Sequence, residues 1–171
     1  RLAVEGRSDA RLNAAQAADG GLDVVVRGAL FDAAPFMSPE SPPVEAGAAP
    51  PARAVSAPLR ANVVVDRLKL RGGATLSDAR VTLATTRGAL AMLSAEGTSP
   101  DGRPFALGLG PRPGEPRGRI VFRSGDAGFA VRALTGAENV VGGAASAEGE
   151  WRAGQGRFEV SLRDFQVVRL P

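Results

Sequence analysis

The chain contains no cysteine and no histidine. The first absence excludes a disulfide framework, thiol chemistry and thiolate metal sites. The second removes the commonest general base and the commonest transition-metal ligand, so neither a metal nor a cofactor is expected. Aromatic residues make up 5% of the chain, too few large rings to fill a wide barrel. Lysine is reduced to Lys69 alone. The arginines are scattered along strand-like segments instead of clustered, and the net charge is only +3. A pI near 10.8 therefore reflects a composition rich in Arg, Ala and Gly, and no nucleic-acid partner is expected. No run of about 18 apolar residues is present, so no segment is long and apolar enough to cross a bilayer as a helix. The first residues also lack the apolar core of a signal peptide.

What is present describes a folded protein. With 171 residues, 44% hydrophobic and 23% charged, the chain fits one domain with a sizeable core. Leu2, Val4 and Gly6 alternate with Arg1, Ala3, Glu5 and Arg7 as an opening strand. The next segment is ambiguous, because Ala14 to Ala18 fits either a weak strand or a helical turn. Asp19-Gly20-Gly21 is a turn signal, and Leu22, Val24 and Val26 alternate up to Gly28. Phe31 to Met37, with Pro35 between two phenylalanines, reads as a helical turn or an edge plug. Residues 38–58 are Pro- and Ala-rich and bury too little to offset their ordering entropy, which predicts a mobile loop.

A better-patterned block runs from residue 59 to 171, forming one domain with residues 1–37. Leu59, Ala61, Val63 and Val65 keep one parity and Leu68 and Leu70 the other, which places a bulge near Asp66-Arg67. A second slip falls near Ser77-Asp78, between Leu76 and the run Ala79, Val81, Leu83. Leu90 and Met92 share one parity, Leu93 and Ala95 the other. Turns are marked by Gly72-Gly73, Arg87-Gly88, Ser99-Pro100-Asp101-Gly102 and the stretch from Pro111 to Gly118. Phe105, Leu107 and Leu109, then Ile120 and Phe122, complete an expected antiparallel meander.

The stretch from Ser124 to Pro171 organises the rest. Asp126 is an N-cap candidate, its carboxylate accepting orphan N–H groups of the next turn. Ala127 to Leu134 reads as a helix with Ala130, Val131 and Leu134 on one face, ended by Gly136 at C′. Beyond Gly142-Gly143, Ala145, Ala147, Gly149 and Trp151 fall on one side of a strand, with Ser146, Glu148, Glu150 and Arg152 on the other. Gly154 to Gly156 turns the chain, and Phe158, Val160 and Leu162 then alternate with Glu159, Ser161 and Arg163. Trp151 fits either a groove rim or ordinary packing.

The pieces Asp126-Ala127-Gly128-Phe129, Leu134-Thr135-Gly136, Asn139-Val140-Val141-Gly142-Gly143 and Asp164-Phe165-Gln166-Val167-Val168, in that order and spacing, resemble the C-terminal region of the AsmA-like envelope protein family. These are the relatives of YhdP and TamB in Gram-negative bacteria. Phe31-Asp32-Ala33-Ala34-Pro35-Phe36 also resembles a segment that precedes this region in some members. The resemblance covers the last third of the chain by motif and the middle only by pattern. The family usually continues with apolar residues where this chain has Pro171, so the chain is expected to be a fragment. The resemblance implies a non-enzymatic module of the bacterial periplasm, anchored to the inner membrane by a segment outside this chain. It also implies a long twisted sheet rolled into a gutter that shields acyl chains during phospholipid transport and outer-membrane assembly.

The residues carry their own version of that shape. One face of nearly every strand is apolar, and such a face is covered by closure, by another layer or by a ligand. The single short helix near 126–135 cannot cover about eight strands, and bulges promote bending. The expected fold is therefore mainly all-β, a curved antiparallel sheet forming an open groove or β-taco. An ordinary sandwich or closed roll, serving as a structural or protein-interaction domain with no ligand, stands beside it. The groove residues expected on this reading are Val63, Val65, Val81, Leu83, Phe105, Leu107, Ile120, Phe122, Phe158, Val160 and Leu162, in contact with phospholipid acyl chains.

Catalysis is not expected. Asp9, Asp19, Asp23, Asp32, Asp66, Asp78, Asp101, Asp126 and Asp164 fall mostly beside turns, where aspartate serves backbone hydrogen bonding. Glu148 and Glu150 share one polar strand face, and no spacing demands a carboxylate pair across a cleft. No G-x-S-x-G elbow, P-loop or G-x-G-x-x-G is present.

Overall fold

A computed structural model describes residues 3–4, 8–37, 57–86, 89–111, 118–152 and 155–168. The strands are β1 (Ala3–Val4), β2 (Ser8–Gln16), β3 (Leu22–Asp32), β4 (Leu59–Lys69), β5 (Thr75–Thr86), β6 (Ala89–Thr98), β7 (Pro104–Pro111) and β8 (Gly118–Ser124). The helix α1 (Ala127–Thr135) follows, then β9 (Val140–Val141), β10 (Ala144–Arg152), β11 (Gln155–Arg163) and β12 (Gln166–Val167). Ten strands form one sheet in the order β1-β2-β3-β4-β5-β6-β7-β8-β10-β11, and β9 pairs with β12 apart from it. The sheet is curved and open, not a closed barrel.

The sheet is not a pure meander. β3 and β4 run parallel, Leu22 beside Leu59 and Asp32 beside Lys69. A parallel pair needs a crossover of a dozen or more residues, and residues 33–58 supply that length. Most of the stretch expected to be a mobile loop, 38–56, lies outside the described residues, as do the turn residues 87–88, 112–117 and 153–154 and the side chain of Trp151. Ala14 and its neighbours belong to strand β2, not to a helical turn. Ala34–Phe36 is a single 3-10 turn entered through Pro35.

The alternation slips in β3, β4 and β5 at one level of the sheet. Buried positions run Val65 then Leu68 and Leu70 in β4 and its end, and Ala74 and Leu76 then Ala79 in β5. In β3 the core-packed residues are Val24 and Val26, then Phe31. The extra residues are Ala29, Asp66 and Asp78, and Asp78 takes a left-handed φ of 51°. Between β3, β4 and β5 the register runs through this level without a shift. At this level the shifts lie at the outer borders, between Asp9 and Ala10 on β2 and between Ser77 and Arg80 on β5 facing β6, and β5 and β6 shift once more between Ala84 and Thr85. Three neighbouring strands thus share one fault, and bulges at its two ends bend and twist the sheet there.

Helix α1 is built as its sequence predicts. The Phe129 N–H donates to Asp126 Oδ1 at 2.9 Å, and Gly136, at φ 83°, closes the helix with its N–H on the Arg132 carbonyl. The buried face differs from the expected Ala130, Val131 and Leu134. It comprises Ala127, Gly128, Phe129, Ala130 and Ala133, and Leu134 is exposed. The first turn also runs close to β9: a Cβ on Gly128 would lie 2.7 Å from the Val140 carbonyl oxygen. Phe129 is the one large helix side chain in the buried cluster, beside Ala127, Ala130 and Ala133.

The motifs of the terminal stretch converge in space. Ala127 and Gly128 donate their N–H groups to the carbonyls of Gly143 and Gly142 at 2.9 and 3.1 Å. Val140 pairs with Val167 and Val141 with Gln166, and the Val168 N–H donates to the Asn139 carbonyl. The helix start, the Gly-Gly corner and the Phe-Gln-Val-Val segment are one knot at one end of the sheet.

Candidate functional site

Directly paired residues share a face of the sheet, so the registers place every side chain on one side or the other. One row runs Leu12, Val26, Val63, Val81, Ala95, Leu107, Phe122, Ala147 and Val160. A second runs Ala14, Val24, Ala61, Leu83, Leu93, Leu109, Ile120, Gly149 and Phe158. A third contains Val65, Ala79, Phe105, Ser124, Ala145 and Leu162. Among side chains of these rows only Ser124 is polar, and its hydroxyl donates to the Asp126 carbonyl at 2.7 Å. The inner face is therefore a continuous apolar surface from β2 to β11.

All eleven residues predicted to line a groove fall on these three rows. Their burial is graded. Val65, Phe105 and Phe122 are buried in the packed cluster, and Val63, Val81 and Leu107 are partly buried against it. Leu83 and Ile120 are half-buried. Phe158, Val160 and Leu162, on the last strand, are exposed. Leu12, Val24, Val26, Leu93 and Leu109 are the other large apolar residues of these rows and were not among the predicted lining residues. Their signal was in the sequence, since the same alternation carries them, but only the register shows that they stand beside the others.

Helix α1 causes the gradient. It touches both the 3-10 turn Arg71–Gly73 and β10. The helix lies over the buried end of the apolar face of the curved sheet. Phe129 drops from the helix onto Phe105, and Phe105 meets Phe122 edge-on with ring centroids 5.4 Å apart. This end is sealed. Toward the second row no described element lies over the face, and the apolar side chains stay partly exposed.

The outer face is polar. Across it run Arg11, Arg27, Arg80, Glu96 and Arg123 in one row, and Glu148 opposite Glu159 in the next. Arg119 and Arg123 hold Glu148 at 3.0 and 3.4 Å. Arg119 first, and Arg123 after it, keep the Glu148 carboxyl below its ordinary value. Arg60 pairs with Asp19 and Asp23 and likewise lowers the Asp19 carboxyl. Each of these ion pairs joins neighbouring elements on an exposed surface. Among the described residues no three carboxylates gather as a metal site, and no helix is long and apolar enough to cross a membrane.

Compared with protein-family models, with curated proteins and with solved structures, the chain gives no match.

Proposed function

We propose that this chain is a non-enzymatic cell-envelope module that shields acyl chains in its apolar trough during phospholipid transport between membranes. The observation that carries the reading is the three-row apolar face, continuous from β2 to β11 and, among the described residues, covered at one end by a nine-residue helix. Apolar area left in water costs about 25 cal/mol per Å², and each methylene buried against it gains about 0.8 kcal/mol. A hydrocarbon chain laid along the open rows satisfies both surfaces, and its polar headgroup stays in solvent at the rim. No reacting group is needed, because shielding is passive.

The resemblance of the terminal knot to AsmA-like envelope proteins supports the same reading. With it come a periplasmic location and attachment to the inner membrane through residues outside this chain. The packed cluster beneath the helix favours a second reading, a structural or interaction domain whose apolar face is simply core.

Photo-crosslinking distinguishes the two. A photoreactive residue at Leu109, on the open rows, should crosslink to phosphatidylethanolamine and phosphatidylglycerol vesicles, and one at Phe105, under the helix, should not. Absence of lipid adducts at Leu109, Leu83 and Ile120 alike would leave the packed domain as the account.

A further inference from the structure

β11 is the last strand of the ten-stranded sheet, and among the described residues nothing pairs with its outer edge. Exposed sheet edges are usually blunted by inward-pointing or numerous charges, by lysine, by proline or by a bulge, and the charges of β11 (Arg157, Glu159 and Arg163) all lie on the outer face. β11, with the sequence Gln-Gly-Arg-Phe-Glu-Val-Ser-Leu-Arg, has neither lysine nor proline, and its nine pairs with β10 run without a register shift. Its inner-face side chains Phe158 and Val160 are 54% and 62% exposed. The edge is therefore straight, apolar on one side and ready to accept a strand.

Charge selects which strand. Glu159 stands directly opposite Glu148, whose carboxylate already takes both Arg119 and Arg123. Glu159 has no hydrogen bond or ion pair of its own among the described residues. Like charges directly opposed are destabilising, so the open edge beside Glu159 fits a strand that brings a cation there.

We propose that the strand is β11 of a second copy of this chain, paired antiparallel about a two-fold axis through Phe158. Opposed residues share a face, so only registers that match inner face to inner face are allowed. Full overlap of the nine residues opposes Glu159 to its own copy, beside both Glu148 side chains. A slide in one direction opposes Arg157 to the second copy's Arg163, twice. The slide in the other direction opposes Arg157 to the second copy's Glu159, twice, on either side of a Phe158–Phe158 pair. A longer slide would also set Glu159 against the second copy's Arg163 but overlaps only residues 159–163. The Phe158 register therefore relieves Glu159 with the greatest overlap, and it carries the apolar face unbroken from one copy to the next. The interface is isologous and closes on itself. It stands whether or not the trough holds lipid.

Sedimentation equilibrium of the 171-residue chain between about 1 and about 100 μM should show a monomer–dimer equilibrium. Glu159→Arg should weaken it on the order of tenfold, and the exchange Arg157→Glu with Glu159→Arg should restore it. Phe158→Cys, the only thiol in a chain without cysteine, should give a disulfide-linked dimer under mild oxidation. Val160→Cys, which this register sets against the second copy's Gly156, should not. Circular dichroism confirms the fold of each variant, and the cysteine pair decides if Glu159→Arg fails to fold. A monomer at every concentration, a dimer indifferent to Glu159→Arg, or crosslinking at 160 instead of 158 overturns the proposal.

Discussion

The ring of Phe129, carried by the helix, meets the ring of Phe105, carried by β7, edge to face, with centroids 6.0 Å apart and planes at 85°. Residues 24 apart in the chain are joined where the helix covers one end of the apolar face. Phe129→Ala removes both the area and the quadrupolar contact, and neighbouring alanines cannot fill the space. The expected loss is about 3–5 kcal/mol, read as a fall in the denaturant midpoint. A loss below about 1 kcal/mol would mean that the helix is not what seals this end.

Asp126 holds the first turn through the Phe129 N–H. Asp126→Ala should cost about 1 kcal/mol, and Asp126→Ser or Asp126→Asn much less, because either side chain keeps an acceptor. Equal melting temperatures for the alanine and serine variants would contradict the cap.

Charges on the inner face should separate its two ends. Phe105→Glu buries a carboxylate with no partner and should cost several kcal/mol, enough to unfold the domain. Leu109→Glu leaves the carboxylate partly hydrated, so the fold should survive, while lipid adducts at Ile120, its direct neighbour on β8, should be lost. Thermal melts and crosslinking yields of the two variants give the comparison, and equal destabilisation by both would mean that the face is sealed throughout.

Acid should weaken the outer face in a defined window. Because Arg119 and Arg123 lower the Glu148 carboxyl in the folded state, its contribution is complete above the ordinary value of 4.5. It is lost as the pH falls through the depressed folded value. Both ends of the pair are exposed, so the effect is small and screened by salt. Glu148→Gln should lower the melting temperature slightly near neutrality at low salt and flatten the acid limb, so that the two profiles converge as the pH falls. An acid limb identical in the two proteins would exclude the pair as its source.

Much of this fold is legible in the sequence because its signals are local. Alternation at 59–65, 79–83, 105–109 and 158–162 marks the inner face, and Asp126 with Gly136 marks the helix ends. What alternation cannot carry is the neighbour of each strand. The parallel pairing of β3 with β4 is invisible to it, because both directions give the same period. The true buried face of the helix was hidden for another reason. Helical spacing allows Leu134 and Ala133 alike to face the sheet, and only the docking of the helix buries Ala133 and leaves Leu134 exposed. The gradient along the trough is also non-local, since Phe105 and Leu109 alternate identically and differ only in whether a helix from 20 residues further on lies over them.

The shared fault at Ala29, Asp66 and Asp78 behaves like a dislocation in a crystal: it has ends, and it cannot be erased at one point. Removing Asp66 alone would throw β4 out of step with both neighbours and turn Leu68 and Leu70 outward. Removing all three residues together would restore a straight lattice and cost only the bend. Insertions and deletions at these positions should therefore be inherited in concert, and three distant sites in the chain behave as a single unit of change.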